Sequence, residues 1–331
     1  MSPLTTRTTI GIALAAYRPD EDFFWQQLVS IEAQTYRDWF CYVSFDSPMA
    51  ELLSQSRFAS FGRDPRFVFD ENEERLGHMR NFERAIRQCI RRGADLIACS
   101  DQDDIWGPRK LELSRAELLK RPFPSLVHCN MQLLWTTPPG EKDAFSRPPE
   151  TTAWEFERRG TRHTRAEDLV IRNVVGGAGM LMDSELARLH PSIPEEFSYH
   201  DWWYAVVAGS YGGVWPIDEP LYTYRQHATN VVGLTAPRSF KSVIWRRIRT
   251  GDLDVQMGLW LAARGRAEAV ERSHIPTSQQ FKRLFFSKDF GLHLGMRALR
   301  WMREDPVLAK LYLARASAKA TAALQARGER H

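Results

Sequence analysis

Short apolar runs alternate with amphipathic stretches from Thr8 to about Trp135. Thr8–Ala16, Trp39–Phe45, Arg66–Phe69, Asp95–Cys99 and Ser125–Trp135 are apolar runs of strand length, and runs that short, ending abruptly in polar residues, predict buried parallel strands. Between them, Glu21–Gln34 carries Phe24, Leu28 and Ile31 at helical spacing after a capping Asp20 or Asp22. A short helix is expected from near Pro48, and one running to about Arg92 places Phe82, Ile86 and Ile90 on its core face. Pro108 fits the first position of a helix continuing through Leu111 and Leu113. This β–α alternation predicts an open, mostly parallel α/β sheet with helices on both faces.

The pattern changes after Trp135. Residues 136–165, rich in Pro, Gly and charge, read as a long loop suited to a lid or an acceptor-binding insertion. Asn173–Gly179 is glycine-rich and leads into the apolar Met180–Met182; it fits neither dinucleotide nor Walker spacing, so close backbone approach to a sugar, or a plain turn into a strand, are its two readings. His200-Asp201-Trp202-Trp203 opens a helical run through Ala208, and Asp218–His227 closes this part of the chain.

Candidate chemistry concentrates at Ser100-Asp101-Gln102-Asp103-Asp104-Ile105-Trp106, three carboxylates within four residues directly after a predicted strand. Ligands of open α/β sheets bind at the carboxyl ends of strands. Hard divalent cations take carboxylate oxygens, Mg²⁺ typically using one or two of them plus substrate phosphates. A solvated acidic turn is the plainer alternative. Asp46 ends the second strand, where it suits a nucleoside contact or a helix cap. Gly77 and Arg80 open a helix and together suit a diphosphate. Asp201 sits where a helix N-terminus can position a carboxylate, Trp202 and Trp203 suit the floor of a sugar site or a core, and His227 could be a ligand or a phosphate partner.

Composition narrows the class. The chain has 331 residues, 43% hydrophobic and 26% charged, as in ordinary globular proteins. The N-terminal apolar run lacks a cleavage context, and no segment reaches the ~20 apolar residues of a membrane span. A soluble or peripheral cytoplasmic protein is therefore expected. Cys41, Cys89, Cys99 and Cys129 lie far apart in sequence and read as small buried residues in a reducing compartment. The net charge of +4 hides an asymmetry: residues 237–331 carry 19 Lys/Arg against 8 Asp/Glu, and residues 1–236 carry 26 against 33. The division implied is a catalytic domain over 1–236 and a basic helical region over 237–331. Val243–Ile248 and Phe281–Phe286 mix aromatics with cations in the manner of a helix lying on an anionic membrane, or of a helical subdomain packing on the catalytic domain. No nucleic-acid-binding module is recognisable.

These pieces, in this order, resemble the family 2 glycosyltransferases of the GT-A fold, most closely their bacterial rhamnosyltransferase-like branch. The resemblance is carried by Ala13–Tyr17, Ile31–Tyr36, Leu76-Gly77 with Arg80-Asn81-Phe82, Ser100–Trp106 with Pro108 and Lys110-Leu111, His200–Trp203, and Tyr224–His227 with Asn230; it covers about residues 8–233. It implies inverting transfer of a sugar, rhamnose by analogy with that branch, from a nucleotide-diphosphate donor (a dTDP- or UDP-sugar) to a hydroxyl of a growing cell-surface glycan such as O-antigen, or of a lipid-linked acceptor. Asp101 and Asp103 match the D-x-D pair, with Asp103 the direct ligand of Mg²⁺ or Mn²⁺ and His227 beside metal and diphosphate. Ala16, Tyr17, Asp46, Gly77, Arg80, Asp101 and Gln102 would bind the donor nucleotide, and Trp106, Gly177, His200, Trp202 and Trp203 the sugar and acceptor, with Asp201 as general base. The chain departs from the family in having one acid, not two, in Phe45-Asp46-Ser47-Pro48, Asn130 where relatives often carry Asp, and no polar side chain in Gly176-Gly177-Ala178. A glycosidase would need two opposed carboxyls. The rivals are a sugar-phosphate nucleotidyltransferase and a non-catalytic polyanion- or membrane-binding protein on a degenerate GT-A fold.

Overall fold

A computed structural model describes residues 8–136, 151–157, 165–226 and 253–286. Its centre is an eight-stranded sheet. The strands are β1 (Ile10–Ala16), β2 (Trp39–Phe45), β3 (Phe67–Glu71), β4 (Leu96–Ser100), β5 (Ile105–Trp106), β6 (Leu126–Trp135), β7 (Met180–Asp183) and β8 (Val214–Gln226), arranged β3-β2-β1-β4-β7-β6-β8-β5. β1 pairs in parallel with β2 and β4, β2 with β3, and β6 with β8. β7 is antiparallel to both its neighbours, and β5 is antiparallel to β8.

Helices α1 (Glu21–Glu32), α2 (Ala50–Ser54), α3 (Ala59–Arg63), α4 (His78–Arg91), α5 (Lys110–Leu118), α6 (Ala153–Glu157), α7 (Ala166–Leu169), α8 (Ser184–Leu189) and α9 (His200–Ser210) follow in chain order. Two more, α10 (Leu253–Arg272) and α11 (Gln279–Phe286), lie in the basic C-terminal region. Local signals account for several of these boundaries. Asp20 caps α1 through its carboxylate, which accepts from the Asp22 and Phe23 amides, a bond worth about 1 kcal/mol. Helix α5 begins at Lys110 rather than at Pro108, which lies in a turn closed by the Lys110 amide donating to the Gly107 carbonyl.

Strand alternation sends side chains into two apolar layers. Ile12, Leu14, Cys41, Val43, Leu96 and Ala98 pack on the face covered by Phe24, Leu28 and Ile31 of α1. Ala13, Tyr42, Ile97 and Cys99 pack on the face covered by Phe82 and Ile86 of α4 and by Trp203 and Val206 of α9. That second layer also holds Ala263, Ala267 and Val270 of α10 and Phe281, Leu284 and Phe285 of α11. The apolar residues of Phe281–Phe285 thus face the protein core; Val243–Ile248 lies outside the described residues. No helix among the described residues is long and apolar enough to cross a membrane. All four cysteines are buried and free.

Strand β8 corrects the sequence reading, which saw no strand between Val214 and Gln226. It runs beside β6 for most of its thirteen residues, with register shifts where Cys129–Met131 face Ile217–Tyr222. Pro216 and Pro220 are tolerated because β5 pairs with β8 only at Tyr222 and Thr223, leaving the prolines on a free edge.

Candidate active site

The acidic loop between β4 and β5 is fastened to its surroundings on three sides. Gln102 pairs with the end of β1 through its side-chain amide, accepting from the Tyr17 amide (2.7 Å) and donating to the Tyr17 carbonyl (3.3 Å). Arg225, near the end of β8, donates from Nε to the Asp103 carbonyl (2.9 Å) and from its amide to Asp104 Oδ1 (3.3 Å), while its guanidinium lies over the Phe23 ring. From α1, Ser30 accepts from the Trp106 amide, and Gln34 bonds both the Gly107 carbonyl and the Leu111 amide.

The carboxylates of this loop fall into two kinds. Asp104 points inward and is fully buried; burial pushes its pKa well above the usual carboxylate range, while the Arg225 amide and Lys110 pull it back. Lys110, itself 1% exposed, stacks its ammonium 3.4 Å from the Trp106 ring centre, and burial lowers it to about 8. Asp101 is partly accessible, and its pKa rises to about 7 through burial first, then through the charges of Asp103 and Asp201. The structure therefore brings Asp101 and Asp103 of the acidic loop and Asp201 of α9 into one electrostatic neighbourhood from two distant parts of the chain.

Asp201 sits in the first turn of α9. Its Oδ1 accepts from the Trp202 amide at 2.6 Å. Its Oδ2 lies 3.7 Å from the place a Cβ on Gly177 would occupy, and the same Cβ would stand 2.9 Å from the His200 ring. Gly177 is thus the residue that lets the turn before β7 close onto the start of α9. His200 is 3% exposed and stacks on Phe82 with ring centres 3.8 Å apart. Burial holds its pKa well below the ordinary histidine value, so the ring is neutral.

His78, which the sequence reading passed over, is the first residue of α4 and stands between Tyr199, His200 and Phe82. Burial lowers its pKa, and the charge of Asp103 opposes that shift. No motif marked it; only the packing of α4 against α9 brings it to the acids.

Asp46, expected at the nucleobase, has an internal task. Its carboxylate accepts from the amides of Leu76 (2.6 Å) and Gly77 (2.7 Å) and from Asn72 Nδ2 (2.8 Å). These bonds fix the start of α4, where Gly77 takes φ +80°, a left-handed conformation natural to glycine. Arg80 stays partly exposed while it pairs with Glu83 and donates to the Ile193 carbonyl. Tyr17 faces outward from the end of β1, with Arg75 4.5 Å and Arg18 5.4 Å from its ring centre. Ala16 is buried beside it, and its carbonyl accepts from the Asp46 amide.

Two of the expected sugar contacts are corrected by burial, and the third, Trp202, is held by its neighbours. Trp203 is fully buried against Phe197, and Trp106 is 3% exposed beneath Lys110, so neither offers a face to a ligand. Trp202 is half-buried, with its indole N–H donated to the Leu169 carbonyl at 2.6 Å. All three had the residue type of a sugar platform, but aromatic side chains in an α/β layer serve the core first. Asn130 Oδ1 accepts from the Met131 and Trp154 amides. His227 and Asn230 lie outside the described residues.

The donor set can be tested against a metal. Among the described residues, no three His, Cys, Asp or Glu side chains converge as a ready cation cage. The charges of Asp103 and Asp201 acting on Asp101, with no basic group among the described residues offsetting them there, suit a hard dication completed by substrate oxygens. The residues present fit such a group.

No family model matches the chain. An uncharacterized glycosyltransferase from Methanocaldococcus jannaschii is 29% identical over 103 residues, 31% of this chain and 34% of the relative. The chain thus matches about a third of that relative's length. Among solved structures, S. aureus TarS residues 1–349 in complex with UDP-GlcNAc superimposes with a TM-score of 0.52 at 11% identity, over 94% of this chain and 92% of that one. The UDP complex of TarS gives 0.50 at 11% identity, over 89% and 78%. The fold is a GT-A-like glycosyltransferase fold. Its mixed sheet places the acidic loop and the start of α9 at one end.

Proposed function

We propose that the protein is an inverting glycosyltransferase that moves a sugar from a nucleotide-diphosphate donor to an acceptor hydroxyl. The observation that carries this reading is the shared electrostatic neighbourhood of Asp101, Asp103 and Asp201 at the carboxyl end of β4, the end at which open α/β sheets bind ligands. The partial sequence match to a glycosyltransferase and the nucleotide sugar bound in the TarS complex support it.

In this reading Asp101 and Asp103 would hold Mg²⁺ or Mn²⁺. The bound ion supplies Lewis-acid stabilisation of the departing diphosphate. Asp201 orients the acceptor hydroxyl and takes its proton as the oxygen attacks the anomeric carbon from the face opposite the leaving group. The new C–O bond forms as the bond to the phosphate oxygen breaks, and its electron pair leaves with the diphosphate. Gln102 holds the end of β1 against the acidic loop, so that Tyr17, with Arg75 and Arg18 at its ring, would face the nucleoside while the loop faces the diphosphate. Asp46 serves this site indirectly by fixing Gly77 and the start of α4. His200 and Gly177 would shape the sugar and acceptor side. A dTDP- or UDP-sugar as donor, rhamnose as the sugar, a growing cell-surface glycan or lipid-linked acceptor, and peripheral attachment of the basic 237–331 region to the inner membrane face complete the proposal.

The direct test is thermal stability against UDP, dTDP and GDP, each with and without Mn²⁺, on wild type and Asp103→Ala. A ligand bound only by the folded state at 100-fold over its Kd adds about 2.7 kcal/mol. A metal-dependent rise in Tm for one nucleotide, abolished by Asp103→Ala, is the expected result. A folded protein indifferent to every nucleotide would overturn the reading in favour of a binding protein.

A further inference from the structure

The helix α10 belongs to the basic region, yet one of its arginines reaches the catalytic helix. Arg266 is 7% exposed, and its guanidinium lies 4.0 Å from the centre of the Trp202 ring. Its Nε donates to the Val170 carbonyl at 2.8 Å. The Trp202 indole N–H donates to the preceding carbonyl, Leu169, at 2.6 Å. The two side chains thus satisfy consecutive carbonyls at the end of α7 and lock each other in place. The backbone amide of that same Trp202 donates to Asp201 Oδ1 at 2.6 Å. A continuous path runs from α10 through the Trp202 ring and backbone to the carboxylate.

We propose that Arg266 is a positioning residue for Asp201: it holds Trp202, and Trp202 holds the carboxylate in the orientation that proton transfer requires. The inference rests on the reading of Asp201 as general base. Burial of Arg266 with no acidic partner among the described residues argues that its place is kept for this contact. A guanidinium left nearly dry would ordinarily be paired with an acid or turned to water. Lysine could reach the Val170 carbonyl but lacks the planar face that stacks on an indole.

The test uses the full chain and four variants: Asp201→Asn, Arg266→Met, Arg266→Lys and Trp202→Phe, the last keeping a ring but losing the indole N–H. Turnover is read as nucleoside diphosphate released from UDP-GlcNAc, dTDP-rhamnose or GDP-mannose with Mn²⁺. Hydrogen exchange of the 199–206 peptide is read alongside, well below Tm. The expected result is a 10- to 100-fold fall in kcat for Arg266→Met with donor KM within twofold, partial rescue by Arg266→Lys, a 3- to 10-fold fall for Trp202→Phe, and faster exchange in the 199–206 peptide for both Arg266→Met and Trp202→Phe. If Asp201→Asn abolishes turnover while Arg266→Met and Trp202→Phe keep wild-type kcat, the positioning role is overturned and the general base stands. If Asp201→Asn turns over normally, or wild type is inert with all three donors, the general-base reading fails instead. In that case unchanged exchange in folded Arg266→Met or Trp202→Phe would separately refute the contact path. Should Arg266→Met fail to fold, Trp202→Phe decides alone by the same criteria.

Discussion

Two acidic sites stand at the ends of β2 and β4, the strands flanking β1, and the protein treats them in opposite ways. Asp46 is saturated: two backbone amides and an asparagine side chain converge on it, and its charge is consumed in holding the start of α4. Asp101 is surrounded instead by the charges of Asp103 and Asp201, and its pKa is driven up to about 7. A carboxylate that accepts several amide bonds is a structural anchor, whereas clustered carboxylates in mutual repulsion cost stability unless a ligand compensates them. The difference separates an anchor from a site more sharply than residue type or position at a strand end.

The sharpest way to break this comparison is to remove the chemistry. Asp201→Asn is expected to lower donor turnover by roughly 10²- to 10⁴-fold, the range for losing a general base, with circular dichroism unchanged. If turnover survives, Asp201 joins Asp46 as a structural acid. Asp46→Ala should act on the other side, destabilising the fold by about 2–3 kcal/mol because the Leu76 and Gly77 amides lose a charged acceptor; urea denaturation measures it. A neutral result there would mean that water replaces the carboxylate and that the anchor is dispensable. Gly177→Ala introduces a Cβ 2.9 Å from the His200 ring, costing about 1–3 kcal/mol if the turn must shift. Its kcat should fall about tenfold as the turn and Asp201 move apart, an order-of-magnitude figure of the kind small misplacements produce.

The smallest expected effect carries the opposite sign. The pKa of Asp101 in the folded protein lies above its unfolded value of about 3.9. The fold therefore favours the protonated acid, and stability declines as pH rises from about 4 through about 7. Asp101→Asn removes that penalty and should raise Tm at pH 8 by a few °C, on the order of 1 kcal/mol or more, while abolishing the Mn²⁺-dependent shift. In wild type, protons and Mn²⁺ compete for the site, so the metal response should weaken as pH falls below about 7. A Tm for Asp101→Asn below wild type at pH 8 would show that the carboxylate is anchored after all.

Much of the frame was legible because β1, β2 and β4 are buried on both faces and announce themselves as apolar runs. The acidic loop was legible for the same reason, as charge placed where such a run stops. Strand β8 was not, because Pro216, Pro220 and the exposed Asp218 and Glu219 are allowed only by its free edge, a fact about neighbours rather than about sequence. The tryptophans of α9 misled in a different way: spacing puts Trp202 and Trp203 at the helix start, but whether an indole meets sugar or core depends on what covers that face, and there the cover includes α10. His78 carries no motif and enters the site through the packing of α4 on α9. The ion pair of Arg80 with Glu83, three residues along the same helix, was legible in the spacing alone.

The three-sided fastening of the acidic loop has a consequence for how such a protein can change over generations. Gln102, Arg225, Ser30 and Gln34 each tie the loop to a different element, so a substitution there disturbs several contacts at once. The rim around Tyr17, Arg18 and Arg75 is held by stacking at the surface and shares none of those ties except the Tyr17 backbone. Under the proposed function, new nucleotide preferences can be tried at the rim by exchanging its side chains, while the carboxylate geometry is inherited intact.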